Sequence, residues 1–266
     1  MTTTPIFNTW VKCSRPNSQA NLRLFCFPYA GGGTWSFRDW SDDLPDTIEV
    51  CSIELPGRGT QMKSPPFTQL QPLVCAIADA LRLYLDKPFA FFGHSMGGLV
   101  SFEVARLLRK HHGLMPVHLF VSGRRAPQLQ PTKPPIHNLP KPEFIEELKQ
   151  LNGTPSEVLK NHELMELMLP ILRADFAVLE TYNYSKEKPL SCPIAVFGGL
   201  QDSEVSHEEL QAWREQTSSE FSLQMFQGDH FFINFERQVL LQLIAQKLIK
   251  YSGIYQDVKY VFLIYK

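Results

Sequence analysis

Short apolar runs alternate along this chain with longer segments whose apolar residues recur at three- and four-residue spacing. Residues 22–27, 48–55, 89–92, 117–122, 193–197 and 221–226 are brief, apolar and closed by Gly, Pro or Ser, and predict strands. Residues 68–84, 98–111, 207–216 and 234–250 carry the i, i+3, i+4 pattern of helices with one buried face. Strands that alternate with helices in this way predict an α/β fold, a mostly parallel sheet covered on both faces. Ligands on such a sheet gather at the carboxyl ends of the strands.

One stretch breaks the alternation. Between about 124 and 188 no strand is evident. A connector rich in proline (Pro127, Pro131, Pro134, Pro135, Pro140, Pro142) leads into helical patterns at 142–151, 155–160 and 162–184. Pro142 and Pro155 suit the first turn of a helix. Pro170 lies inside the longest pattern and predicts a kink or a split. A segment of this length exceeds a simple crossover and predicts a helical lid over the strand ends, inserted into a single domain. The end of the chain, about 251–266, is apolar and β-prone, and fits an added edge strand, a packing strap or a partner contact.

The candidate chemistry begins at Gly93-His94-Ser95-Met96-Gly97, between the apolar run 89–92 and the helical pattern from Gly98. Strand, sharp turn and helix with serine at the tip make a nucleophile elbow, which needs small residues two before and two after the serine. A serine hydroxyl needs an imidazole to take its proton and an acid to orient that imidazole. Of eight histidines, His94 is within the elbow and is expected to point away from the serine. His111 and His112 end a helix, His118 is inside a strand, His137 and His162 belong to the insertion, and His207 starts a helix. His230 is left, on a loop between the last strand and the last helix, at the same sheet edge as Ser95. The acid belongs between them in chain order, and Asp202 follows a strand and a glycine turn. Glu204 is two residues away, Asp229 adjoins His230, and Asp175 is expected on a solvated face in mid-helix. Met96, the residue after the serine, offers one backbone N–H to an oxyanion. The loop Pro28-Tyr29-Ala30-Gly31-Gly32-Gly33 offers a second, from Ala30 or Tyr29; it lacks the Gly-Lys-Ser/Thr ending of a phosphate-binding P-loop.

Composition narrows the classes of partner. The 266 residues are 44% hydrophobic and 20% charged with a formal net charge of -1, which argues against nucleic acid or an anionic membrane as partner. The five cysteines show neither a C-x-x-C pair nor zinc spacing, and those in apolar stretches read as buried free thiols. No secretory leader or membrane-spanning run is evident, so a cytoplasmic monomer that requires no metal or cofactor is expected.

Seven strings, in order, carry a resemblance. They are Phe27-Pro28-Tyr29-Ala30-Gly31-Gly32, Leu55-Pro56-Gly57-Arg58-Gly59, Phe92-Gly93-His94-Ser95-Met96-Gly97-Gly98, Ser122-Gly123-Arg124-Arg125-Ala126-Pro127, Leu151-Asn152-Gly153-Thr154-Pro155, Leu172-Arg173-Ala174-Asp175-Phe176 and Gly228-Asp229-His230-Phe231-Phe232. Together the chain resembles the type II (external) thioesterases of non-ribosomal peptide and polyketide synthesis, members of the α/β-hydrolase superfamily. The resemblance implies Ser95 as nucleophile, Asp202 as acid, His230 as base, and Ala30 and Met96 as oxyanion donors. It also implies a helical lid and, as substrates, acyl groups on the phosphopantetheine arm of carrier proteins. Asn152 departs from the family pattern, where a second glycine is more usual, and the apolar tail has no counterpart in it. Two other enzyme readings are an acyltransferase and a general esterase on the same scaffold. A reading from another class is a non-catalytic protein that binds acyl carriers.

Overall fold

The computed structural model describes residues 9–251 except 152, 154 and 155. The expectations for Asn152, for Pro155, for the extreme N-terminus and for the tail beyond 251 lie outside the described residues. Seven strands, β1 (Val11–Cys13), β2 (Leu22–Phe27), β3 (Ile48–Ile53), β4 (Phe89–His94), β5 (His118–Ser122), β6 (Ile194–Gly199) and β7 (Phe221–Phe226), form one sheet in the order β1-β3-β2-β4-β5-β6-β7. Every pairing is parallel except that of β1 with β3. Among the described residues eight α-helices accompany them: α1 (Trp40–Asp43), α2 (Leu70–Leu81), α3 (Met96–His112), α4 (Lys141–Gln150), α5 (Ser156–Lys160), α6 (His162–Glu180), α7 (His207–Gln211) and α8 (Arg237–Leu248). This is the α/β-hydrolase arrangement, with the elbow serine at the carboxyl end of the central strand β4.

Strands β3, β4, β5 and β6 are buried at every position because both of their faces are covered. Along β4, Phe89 and Phe91 enter the core under α2 and α3, while Ala90 and Phe92 enter the core under α1 and α8. β4 is therefore gripped from both sides, which fixes the place of whatever follows it. Helices α4 to α6 close over a smaller core of their own, built from Phe144, Leu148, Met165, Leu169 and Leu172. The C-terminal part of α6 returns to the main body, where Val178 joins the α2–α3 core.

Several expectations are corrected. β1 was not predicted. Its Cys13 lies directly opposite Cys51 of β3 and the two form a disulfide, so Cys51 is not a free thiol. Cys26 and Cys192 are buried and free, and Cys75 is exposed. α6 runs unbroken past Pro170. Pro170 is exposed, so the carbonyl of Glu166 that it leaves without a partner lies on the solvent side, where water can satisfy it. The predicted helices at 68–84, 207–216 and 234–250 are shorter as α-helices and carry 3-10 turns at 82–84, 212–216 and 249–251. Among the described residues no helix is long and apolar enough to cross a membrane.

Candidate active site

The elbow is built by close approach of backbone. A Cβ on Gly93 would overlap the carbonyl of Gly97, and a Cβ on Gly97 would overlap the carbonyl of Phe27. Glycine at these two places lets the first turn of α3 pack on the end of β2. Ser95 alone among the described non-glycine residues has positive φ, at 52°, a costly conformation held by the surrounding core. Its N–H donates to Ser122 O at 2.7 Å, which ties the turn to β5. Met96 opens α3, so its N–H belongs to the first turn, where amides have no partner within the helix. The contact at Gly97 brings that turn against the loop at 28–33. Ala30 lies there within a turn closed by Gly32 N–H on Tyr29 O at 2.9 Å.

Asp202 and His230 come together from the loops after β6 and β7. The two loops are lashed by Leu200 N–H on Phe226 O at 2.8 Å and Gln201 N–H on Gly228 O at 2.9 Å. His230 Nδ1 lies 2.8 Å from Asp202 Oδ2, and the Asp202 side chain has no exposed surface. Nδ1–H donates to the carboxylate, which leaves Nε2 as the acceptor. Asp202 Oδ1 accepts from Glu204 N–H at 2.8 Å, so both carboxylate oxygens are held. The other acids are occupied elsewhere. Glu204 meets Lys133 at 2.8 Å, and Asp229 accepts from Phe231 N–H at 2.8 Å. Ser95 Oγ and His230 Nε2 make no hydrogen bond to each other here; such bonds often tighten only when substrate is bound.

His94 lies beside His230, with ring centroids 5.1 Å apart. Its Nδ1 is 2.9 Å from Ser122 Oγ. Burial, and then the neighbouring His230, hold it well below the ordinary histidine range, so it stays neutral beside that ring.

One placement differs from expectation. Asp175 is not on a solvated face; it is buried and paired with Arg58 at 2.8 Å. In the insertion, Met165 is core and Met168 and Phe176 pack on it, whereas Leu164 and Leu167 are exposed. The strings around Arg58 and Asp175 stood out in the sequence, yet their partnership spans 117 residues and left no local signal. Among the described residues one group, Cys13, Glu49 and Cys51, has metal-ligand atoms close together. Its cysteines are bonded to each other, and Glu49 is engaged by Arg23 at 2.6 Å.

A family model described as a thioesterase domain matches residues 22–248. The chain belongs to the thioesterase family. Gramicidin S biosynthesis protein GrsT of Aneurinibacillus migulanus is 48% identical to this thioesterase over 91% of the chain and 94% of GrsT. A protein called linear gramicidin dehydrogenase LgrE, from Brevibacillus parabrevis, is 43% identical over 94% of the chain and 96% of its own length. That name denotes a redox enzyme, but the glycine loop after β2 here has Ser36 where a dinucleotide-binding G-x-G-x-x-G loop closes on glycine. Among solved structures, the RedJ thioesterase of the prodiginine pathway in Streptomyces coelicolor superposes with a TM-score of 0.83 at 38% identity, covering 88% of this chain and 92% of that one.

Proposed function

We propose that this thioesterase hydrolyses acyl groups from the phosphopantetheine arm of carrier domains in a peptide or polyketide synthase, through an acyl-enzyme on Ser95. The observation that carries the reading is the 2.8 Å bond of His230 Nδ1 to Asp202, whose side chain is wholly buried, on paired loops at the sheet edge that bears Ser95. His230 Nε2 takes the proton of Ser95 as Oγ attacks the thioester carbonyl. Ala30 N–H and Met96 N–H hold the oxyanion. The C–S bond breaks, and the leaving thiolate takes the proton from the imidazolium. Water then attacks the acyl-serine, giving its proton to His230, which returns it to Ser95 as the acid departs. The chain's own residues complete both steps, and the reading needs no metal or dissociable cofactor. Helices α4 to α6 act as the lid under which the arm enters.

The relatives support the carrier as partner: GrsT is named for gramicidin S biosynthesis and RedJ for prodiginine biosynthesis. The chain works as a monomer in the cytoplasm beside its synthase. The Cys13–Cys51 disulfide runs against that compartment, where thiols are kept reduced. Alkylation of cysteines in intact cells decides which form is present. The test of the activity is release from a panel of acyl-loaded carriers and from the matching small thioesters, with Ser95→Ala as control. Serine-dependent release, faster from the carrier, is expected. Equal rates would favour a general esterase, and transfer to a thiol instead of water would favour an acyltransferase. No release from folded protein would favour a carrier-binding role.

A further inference from the structure

The oxyanion loop is held from outside by two charged residues that the chemistry above does not use. Asp175, in the middle of α6, accepts from Gly31 N–H at 2.8 Å through Oδ2 and from Arg58 at 2.8 Å through Oδ1. Arg58, on the loop after β3, also donates to Gly32 O at 2.7 Å. The two backbone groups that follow Ala30 are therefore pinned by one ion pair, whose members are each about 95% buried. The same helix presses on the loop directly. A Cβ on Gly31, whose φ is +74°, would come within 2.6 Å of Leu172 Cδ2. Ile171 meets the loop that carries Arg58, lying 3.3 Å from where a Cβ on Gly57 would be.

A buried ion pair contributes little net stability, because desolvation offsets its attraction. What this one does is orient. Gly31 has a backbone conformation that leaves its peptide free to turn, and Asp175 removes that freedom. We propose that Asp175 and Arg58 are positioning residues for the oxyanion hole, and that they align Ala30 N–H only when α6 is seated on the loop. Placement of the insertion is thereby coupled to transition-state stabilisation. The inference rests on the serine mechanism above.

The test is kinetic. Asp175→Asn keeps an acceptor for Gly31 N–H and loses the charge that faces Arg58; Arg58→Lys keeps the charge and loses the two-armed contact. Each is assayed for kcat and KM on an acyl-pantetheine thioester. Each is also assayed for binding of an alkyl trifluoromethyl ketone, whose adduct with serine puts an oxyanion in the hole. Loss of one oxyanion donor costs about 100- to 1000-fold in kcat, so a misaligned donor is expected to cost about 10- to 100-fold. KM should change less than about threefold, and ketone affinity should fall by the same factor as kcat. In an Asp175→Asn background, Arg58→Lys should cost little more. Unchanged kcat and ketone affinity in either folded variant, even with a lower melting temperature, would overturn the proposal, and so would full additivity of the two changes. Failure of the unaltered protein to react with a fluorophosphonate at Ser95 would overturn the serine mechanism and this inference together. Labelling at the wild-type extent, with kcat reduced, is the outcome that supports the inference.

Discussion

His118 is set to make this fold acid-sensitive. It lies in β5, 3% exposed, stacked on Phe120 with ring centroids 4.3 Å apart, and neither ring nitrogen has a partner. Burial, reinforced by Lys247 and Lys250 near the end of α8, lowers it from 6.5 to about 3. Above pH 6.5 the ring is neutral whether the chain is folded or not. Below that the unfolded chain takes up a proton that the folded one refuses, so stability falls as pH drops and stops falling near pH 3. At 1.36 kcal/mol per unit, the shift implies about 2 kcal/mol lost between pH 8 and pH 5 and about 5 kcal/mol by pH 3. For a chain of this size, 2 kcal/mol corresponds to roughly 4–8 °C in melting temperature. His94, also held neutral by burial, adds to the same acid limb, so the informative quantity is a difference between proteins. Thermal melts of the unaltered protein and of His118→Leu across pH 5–8 should diverge, with the variant losing markedly less on acidification. At pH 8 the variant should be no less stable, since it buries no unpaired nitrogen. Parallel acid limbs would refute the reasoning.

Asp202→Asn should leave the fold intact and cut kcat by about 1000- to 10,000-fold, because an amide can hold the wrong tautomer of His230; steady-state turnover on a small thioester measures it. Gly97→Ala puts a methyl against the Phe27 carbonyl and should cost at least about 1–3 kcal/mol in denaturant unfolding, with activity lost in whatever folds. Reduction of Cys13–Cys51, separated by 38 residues, should lower stability by about 3–4 kcal/mol and leave kcat per folded molecule unchanged, read by unfolding with and without a reductant.

The parallel core was legible because its central strands β4, β5 and β6 are largely apolar runs, the mark of a strand buried on both faces. The elbow and the order Ser95, Asp202, His230 were legible for a related reason: each residue follows a strand, and strand ends can be read locally. β1 was not legible. Val11-Lys12-Cys13 has no pattern of its own and is a strand only because β3 offers an edge and Cys51 a bond. Asp175 was misread because a carboxylate in mid-helix is usually solvated, and the partners that make its burial tolerable, Arg58 and the Gly31 N–H, lie 117 and 144 residues away. Leu164 and Leu167 lie within an apolar helical pattern and are nevertheless exposed. Apolar spacing marks a helix face, but it does not say whether anything covers that face.

The backbone of Ser95 has a consequence for how this molecule comes into being. Its left-handed turn is held by β4 locked between two cores, one of which needs α8, near the end of the described chain. His230 and Asp202 also lie late, beyond β6. A nascent chain on the ribosome thus carries its serine long before it carries an active centre, and is inert toward acylated carriers until α8 has been made. Truncation anywhere before α8 should leave no weakened enzyme behind, only an unreactive polypeptide.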